Sequence, residues 1–284
     1  MQAGNTAQGA QAVAVGNYAG NQGQGLYAVA VGAGAGQLSQ GYNAIAIGQI
    51  AGQYTQGGQS IAIGSNAGQT LQGSNCVAIG QVAGASAQGV QAVAIGANAG
   101  QVSQGQFAVA VGPSAGVATQ GQYAVAVGYT AGQFGQQGYA TAIGYQAGAS
   151  AQGVYAIAIG DNAGQISQAA YSIAIGHSAG ASAQAAEAVA IGDIAGQFAQ
   201  GAQAVAIGYQ AGRFSQGVYA IAIGYQAGLS SQSSNSIAIN ASGGSLNPTG
   251  TGCFIKPIRG VAAGKGLNVL YYDPGTFEVL YSTN

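Results

Sequence analysis

Ala28-Val29-Ala30-Val31-Gly32-Ala33-Gly34-Ala35-Gly36-Gln37-Leu38-Ser39-Gln40-Gly41-Tyr42-Asn43 is one statement of a phrase that recurs every sixteen residues along most of the chain. Its glutamine returns from Gln8 to Gln232, fifteen times without an insertion. Five further columns keep step with it. Ala14 to Ala238 and Ala19 to Ala227 do not vary, and neither does Gly20 to Gly228. Gly16 to Gly224 is unbroken until Asn240 replaces it, and Val15 to Ile239 is always Val or Ile. A second Val/Ile column breaks only at Thr141. A period this strict is the signature of stacked structural repeats, in which each unit contacts only its neighbours.

Within one period, Ala28 to Val31 is a short β-type run whose Val29 and Val31 point to one face and Ala28 and Ala30 to the other. Ala35-Gly36 and Gln40-Gly41 offer the cheapest backbone turns. Sixteen residues suit two short strands and two tight turns. The expected fold is therefore all-β: a single-stranded parallel β-roll, or β-solenoid, of about fifteen 16-residue coils. At about 4.8 Å per coil the rod would run roughly 70 Å. Parallel stacking would align Gln40, Gln56, Gln72, Gln88, Gln104 and Gln120 into an amide ladder along the axis. Both faces of the Ala-Val-Ala-Val strand are apolar, which in a parallel sheet means both are covered. One face can look into the coil, with the two Val/Ile of each coil fully buried in the assembly; the other needs a partner, so a homo-oligomer is expected.

Composition narrows function. Of 284 residues 53 are Gly, none is Trp and 3% are charged, with a formal net charge of -1. Ordinary domains carry about 25% charge, and so neutral a surface favours association. It offers no electrostatic footprint for nucleic acid. No stretch approaches the ~20 apolar residues of a membrane-spanning helix, so no membrane insertion is expected. Met1 to Asn5 already fits the repeat and does not read as a signal peptide. Cys76 falls in a column of Ala and Ser and reads as a small core residue; Cys253 lies far from it, in no metal-like spacing.

Catalysis finds little support. The single histidine, His177, shares a column with Asp161 and Asp193. Stacking would set the imidazole between two carboxylates, a candidate for metal or pH sensing beside the plainer reading of an ion-pair ladder. One histidine makes a nucleophilic triad implausible, and Gly32 to Gly36 lacks the helix that a phosphate-binding loop needs. No cofactor is expected and the protein reads as non-enzymatic. Recognition falls to aromatics: Tyr123, Tyr139, Tyr155 and Tyr171 share one column with Tyr27, Phe107 and Tyr219, and Tyr129 and Tyr145 share another with Tyr209 and Tyr225. Stacked rings can simply stabilise neighbouring strands or fill an interface. A tyrosine stripe along a rod can also bind a glycan or protein on a host surface.

The phrase Ile157-Ala158-Ile159-Gly160-x-x-Ala163-Gly164 resembles the head repeat of YadA-type trimeric adhesins, and the resemblance extends over about residues 1–240. It implies a left-handed parallel β-roll packed as a homotrimer. Beyond the array, Gly252-Cys253-Phe254-Ile255-Lys256-Pro257-Ile258-Arg259 followed by Val269-Leu270-Tyr271-Tyr272-Asp273-Pro274 resembles fibre and tail-fibre-like proteins of large DNA viruses and phages. These likenesses imply a fibre or adhesin head on an extracellular or virion surface, attached to a receptor. The alternative is a structural filament whose subunits add end to end. Residues 1–240 form the expected array and 241–284 a small β subdomain that caps it and closes the trimer, with strands at 267–272 and 277–281 around the turn Asp273-Pro274-Gly275-Thr276.

Overall fold

A computed structural model describes residues 3–258, 270–273 and 278–281. Within them the chain is a parallel β-solenoid, most coils contributing one strand to each of two faces. The first sheet has sixteen strands, beginning with Val13–Val15, Val29–Val31 and Ile45–Ile47 and ending with Ser236–Asn240 and Gly252–Lys256. Every partner in the repeat array lies sixteen residues away, as in Val29↔Ile45 and Ala30↔Ala46. The second sheet is built from the segment that ends in glutamine. It has eight strands from Thr6–Gln8 to Ala118–Gln120, then four from Ser150–Gln152 to Phe198–Gln200.

The interior is made of small residues and glutamine. Ala30, Ala35, Ala46, Ala51 and their equivalents form one continuous cluster, fully buried. The glutamines from Gln24 to Gln232 are buried among them. The Val/Ile pairs point outward instead, and in the single chain they are only half-buried or exposed: Ile47, Ile95 and Ile223 are 39%, 37% and 39% exposed. Full burial of these side chains is thus not a property of the chain alone. The interior position on this strand faces the glutamine column and is filled by alanine, which leaves the Val/Ile positions on the outer face.

Turns fall at Gly-x-x-Ala, as where the Ala124 N–H donates to the Gly121 carbonyl at 3.2 Å and the Ala131 N–H to that of Gly128 at 3.5 Å. The Ala-Gly step expected to turn therefore lies at the end of such a turn. Between Pro113 and Gly128 five residues have positive φ: Ser114, Gly116, Thr119, Tyr123 and Gly128. Residues such as Thr119, Thr130, Val82 and Ile50 rarely adopt this conformation. Bonds between coils hold them there; the Thr130 N–H, for example, donates to the Pro113 carbonyl at 3.0 Å.

The end of the array is closed by larger side chains. Leu246 packs on the alanine cluster, bridging to Ala227 and accepting from the Gly228 N–H at 2.7 Å. Phe254, in the added strand Gly252–Lys256, stands in register with Ala238 of the alanine column. Leu270–Asp273 and Glu278–Tyr281 pair antiparallel; the turn expected between them lies outside the described residues.

Candidate functional site: the outer faces of the rod

Three features stand on this scaffold, and the glutamine column supports all of them. Gln120 donates through Nε2 to the carbonyl of Val109 in the preceding coil at 2.8 Å, to that of Ala124 at 3.4 Å and to Oε1 of Gln136 at 3.1 Å. From Gln104 to Gln232 each carboxamide donates to the next, so the bonds run unbroken along the axis. Gln72 donates likewise to Gln88. Gln40, Gln56 and Gln88 instead bond main-chain carbonyls through Nε2, and the Oε1 atoms of Gln40 and Gln56 are buried without a partner. The carbonyl eleven residues back is the contact that sequence reading missed, because it depends on how the coil closes. The neighbouring glycine column follows from the same packing. A Cβ at Gly116, where φ is +53°, would stand 2.9 Å from Oε1 of Gln120.

The first feature is the outer face of the sixteen-stranded sheet. Two columns of Val and Ile run along it, broken in one by Thr141, and in the described structure these side chains stay half-buried or exposed. A contiguous apolar surface of that extent marks an interaction site.

Tyrosines flank this face on both sides, at the two turns that bound each Val/Ile strand. Phe107, Tyr123, Tyr139, Tyr155 and Tyr171 form one stack, with ring centroids 4.7 to 5.3 Å apart. Tyr129 stacks on Tyr145 at 5.4 Å on the opposite edge. The rings remain 38 to 59% exposed. Stacking covers the ring faces, so what they present outward is a row of edges and hydroxyls at the coil spacing.

The third feature is the acid–histidine column. His177 Nδ1 lies 2.8 Å from Oδ1 of Asp193, with both side chains about half exposed (53% and 48%). Asp161 is not drawn in; its Oδ1 accepts from the Asn162 carboxamide at 2.7 Å. Among the described residues no three His, Cys, Asp or Glu side chains gather as metal ligands would. The contact is an exposed histidine–carboxylate pair, and surface pairs of this kind contribute little.

Fold and surfaces together define a tandem-repeat β-solenoid domain. A family model, the YadA head domain repeat, matches residues 138–163 in two copies, so the chain carries YadA-like head repeats. Comparison with curated proteins and with solved structures returns no match.

Proposed function

We propose that the chain is a non-enzymatic fibre or adhesin head: a rigid homotrimeric rod on an extracellular or virion surface, which attaches its carrier to a receptor. The long Val/Ile face, broken only at Thr141 between Val13 and Ile239, carries this reading. A coil whose interior holds mainly alanine and glutamine gains little from burying itself. Its larger apolar side chains contribute fully only when another copy covers them. The likeness to YadA head repeats supports three copies. Lysine at Ile157 and Ile173, in the middle of that face, should disperse the assembly while leaving the coil intact, because neither side chain enters the interior.

Attachment is assigned to the tyrosine columns, where Tyr123, Tyr139, Tyr155 and Tyr171 on one edge and Tyr129 and Tyr145 on the other offer phenol hydroxyls. A glycan or protein on a host surface is the partner. Replacing Tyr139, Tyr155 and Tyr171 by Ser should abolish attachment of the folded rod to its target cells; unchanged attachment would refute the assignment. The second reading, a filament growing end to end, draws on the low charge of the chain, 3% of its residues, which favours association. The Leu246 and Phe254 closure at the end of the array counts against it.

A further inference from the structure

The sheet that carries the glutamines is interrupted at the Phe134 coil, and its strands give way again to isolated bridges at Phe214. In Phe134-Gly135-Gln136-Gln137, Gly135 stands where adjacent coils have Thr119 and Ala151, which removes a side chain from the outer wall. Gln137 stands where they have Gly121 and Gly153, which adds one at the next corner. The eight-stranded segment ends at Ala118–Gln120, the four-stranded one begins at Ser150–Gln152, and isolated bridges through Phe134 span the gap. A cleft of about 320 Å³ opens at this place, lined by Phe134, Gly135, Gln137, Ser150, Ala151 and Gly153. At this coil the added Gln137, the break in the sheet and the cleft occur together, whereas the second break, at Phe214-Ser215-Gln216-Gly217, comes without either replacement.

The cleft differs from the tyrosine columns in what it offers. Phe134 is 49% exposed, and its column neighbours, Ala118 and Ser150, are too small to cover it. No described ring stacks on it, whereas Phe214, at the second such bridge, is stacked on Phe198 at 5.6 Å. Phe134 thus has a free aromatic face. Beside it, the Gln137 carboxamide and the Ser150 hydroxyl have no hydrogen-bond partner among the described residues. An aromatic wall with a few convergent polar groups is the usual make-up of a small-ligand site, and this volume is at the small end of the range.

We propose that this cleft binds one neutral hexopyranosyl residue of a glycan. The C–H face of the sugar lies on the Phe134 ring, and its hydroxyls bond Gln137 and Ser150. No charged side chain lines the cleft, so nothing there would repay desolvation of an anionic sugar. A peptide strand is disfavoured too. The N–H groups of Phe134, Gly135, Gln137, Ser150, Ala151 and Gly153 all donate within the roll, leaving no donor edge for strand addition. The proposal rests on the assembly reading only in that the glutamine sheet stays uncovered when the Val/Ile face is buried.

Saturation-transfer NMR and titration of the full chain with methyl glucoside, galactoside and mannoside test it. Saturable binding of at least one is expected, weakened about tenfold or more by Phe134→Ser and by Gly135→Leu. Ser is what Ser86 and Ser182 place in the Phe134 column, and Leu71 is the precedent in the Gly135 column, so both variants should keep the fold. Phe214→Ser should bind as the parent does, and so should the variant lacking Tyr139, Tyr155 and Tyr171, which separates this site from the attachment surface. Binding to none of the three sugars, binding indifferent to both cleft variants, or tighter binding of methyl N-acetylneuraminate would overturn the proposal.

Discussion

Gln120 shows how much one side chain carries in so thin a coil. It satisfies two main-chain carbonyls from different coils and joins its two neighbours in the column. Gln120→Ala would take from Gln104 its acceptor and from Gln136 its donor, and open a hole beside Gly116, a loss of about 2–4 kcal/mol. Hydrogen exchange should report it as faster opening of the coils next to Gln120. The two glycine environments predict opposite outcomes. At Gly160, where φ is +127°, an added Cβ would meet the Gly176 carbonyl oxygen at 2.7 Å, so Gly160→Ala should destabilise the array severely. At Gly135 the nearest atom is 3.8 Å away, and alanine already occupies the same column at Ala151, so Gly135→Ala should leave the melting temperature almost unchanged. Cys76 gives a pH dependence. It is buried and burial raises its thiol pKa above the ordinary value. The unfolded chain therefore ionises first as pH rises, so the stabilising contribution is complete below the ordinary thiol pKa and is lost as pH climbs through the folded value. A Cys76→Ala variant should lose less stability than the parent between neutral and strongly alkaline pH. Invariance of these columns was visible in the sequence. The positive φ of Thr119 or Val82 was not, since nothing in those residue types signals it and the constraint comes from bonds to the next coil.

At the scale of strands and turns, the alternation Ala-Val-Ala-Val was enough to separate two faces, and the period was enough to set the register. Which face enters the coil depends on the width of the roll, a property of all sixteen residues together. That is why Val/Ile burial within the chain could be overestimated. The aromatic columns were equally plain as columns, yet their stacking geometry decides their chemistry. Rings 4.7 Å apart, such as Tyr139 and Tyr155, leave no face for a ligand, whereas Phe134, between Ala118 and Ser150, leaves its face open. Tyr139→Ser should accordingly remove two stacking contacts and loosen the turn at Gly138-Tyr139, measurable as faster amide exchange there, without changing the register of Thr141–Ile143. The break at Phe134–Gln137 was legible only as two departures from the repeat; its consequence for the sheet emerges from packing between coils.

Over the whole molecule, stability is a sum of coils and their contacts, so damage stays local. Leu246→Asp would set a charge against the end of the alanine cluster. It should hasten exchange around Gln216 and Gln232 while leaving the coils near Gln120 as they were. We propose that Leu246 and Phe254 would carry the closing role expected of residues 241–284. The central claim is that the Val/Ile face exists to be covered by further copies of the chain. Sedimentation equilibrium of the native protein tests it most directly. A single discrete species near three times the 27.3 kDa chain mass is the predicted result, and a stable monomer across the accessible concentration range would contradict it.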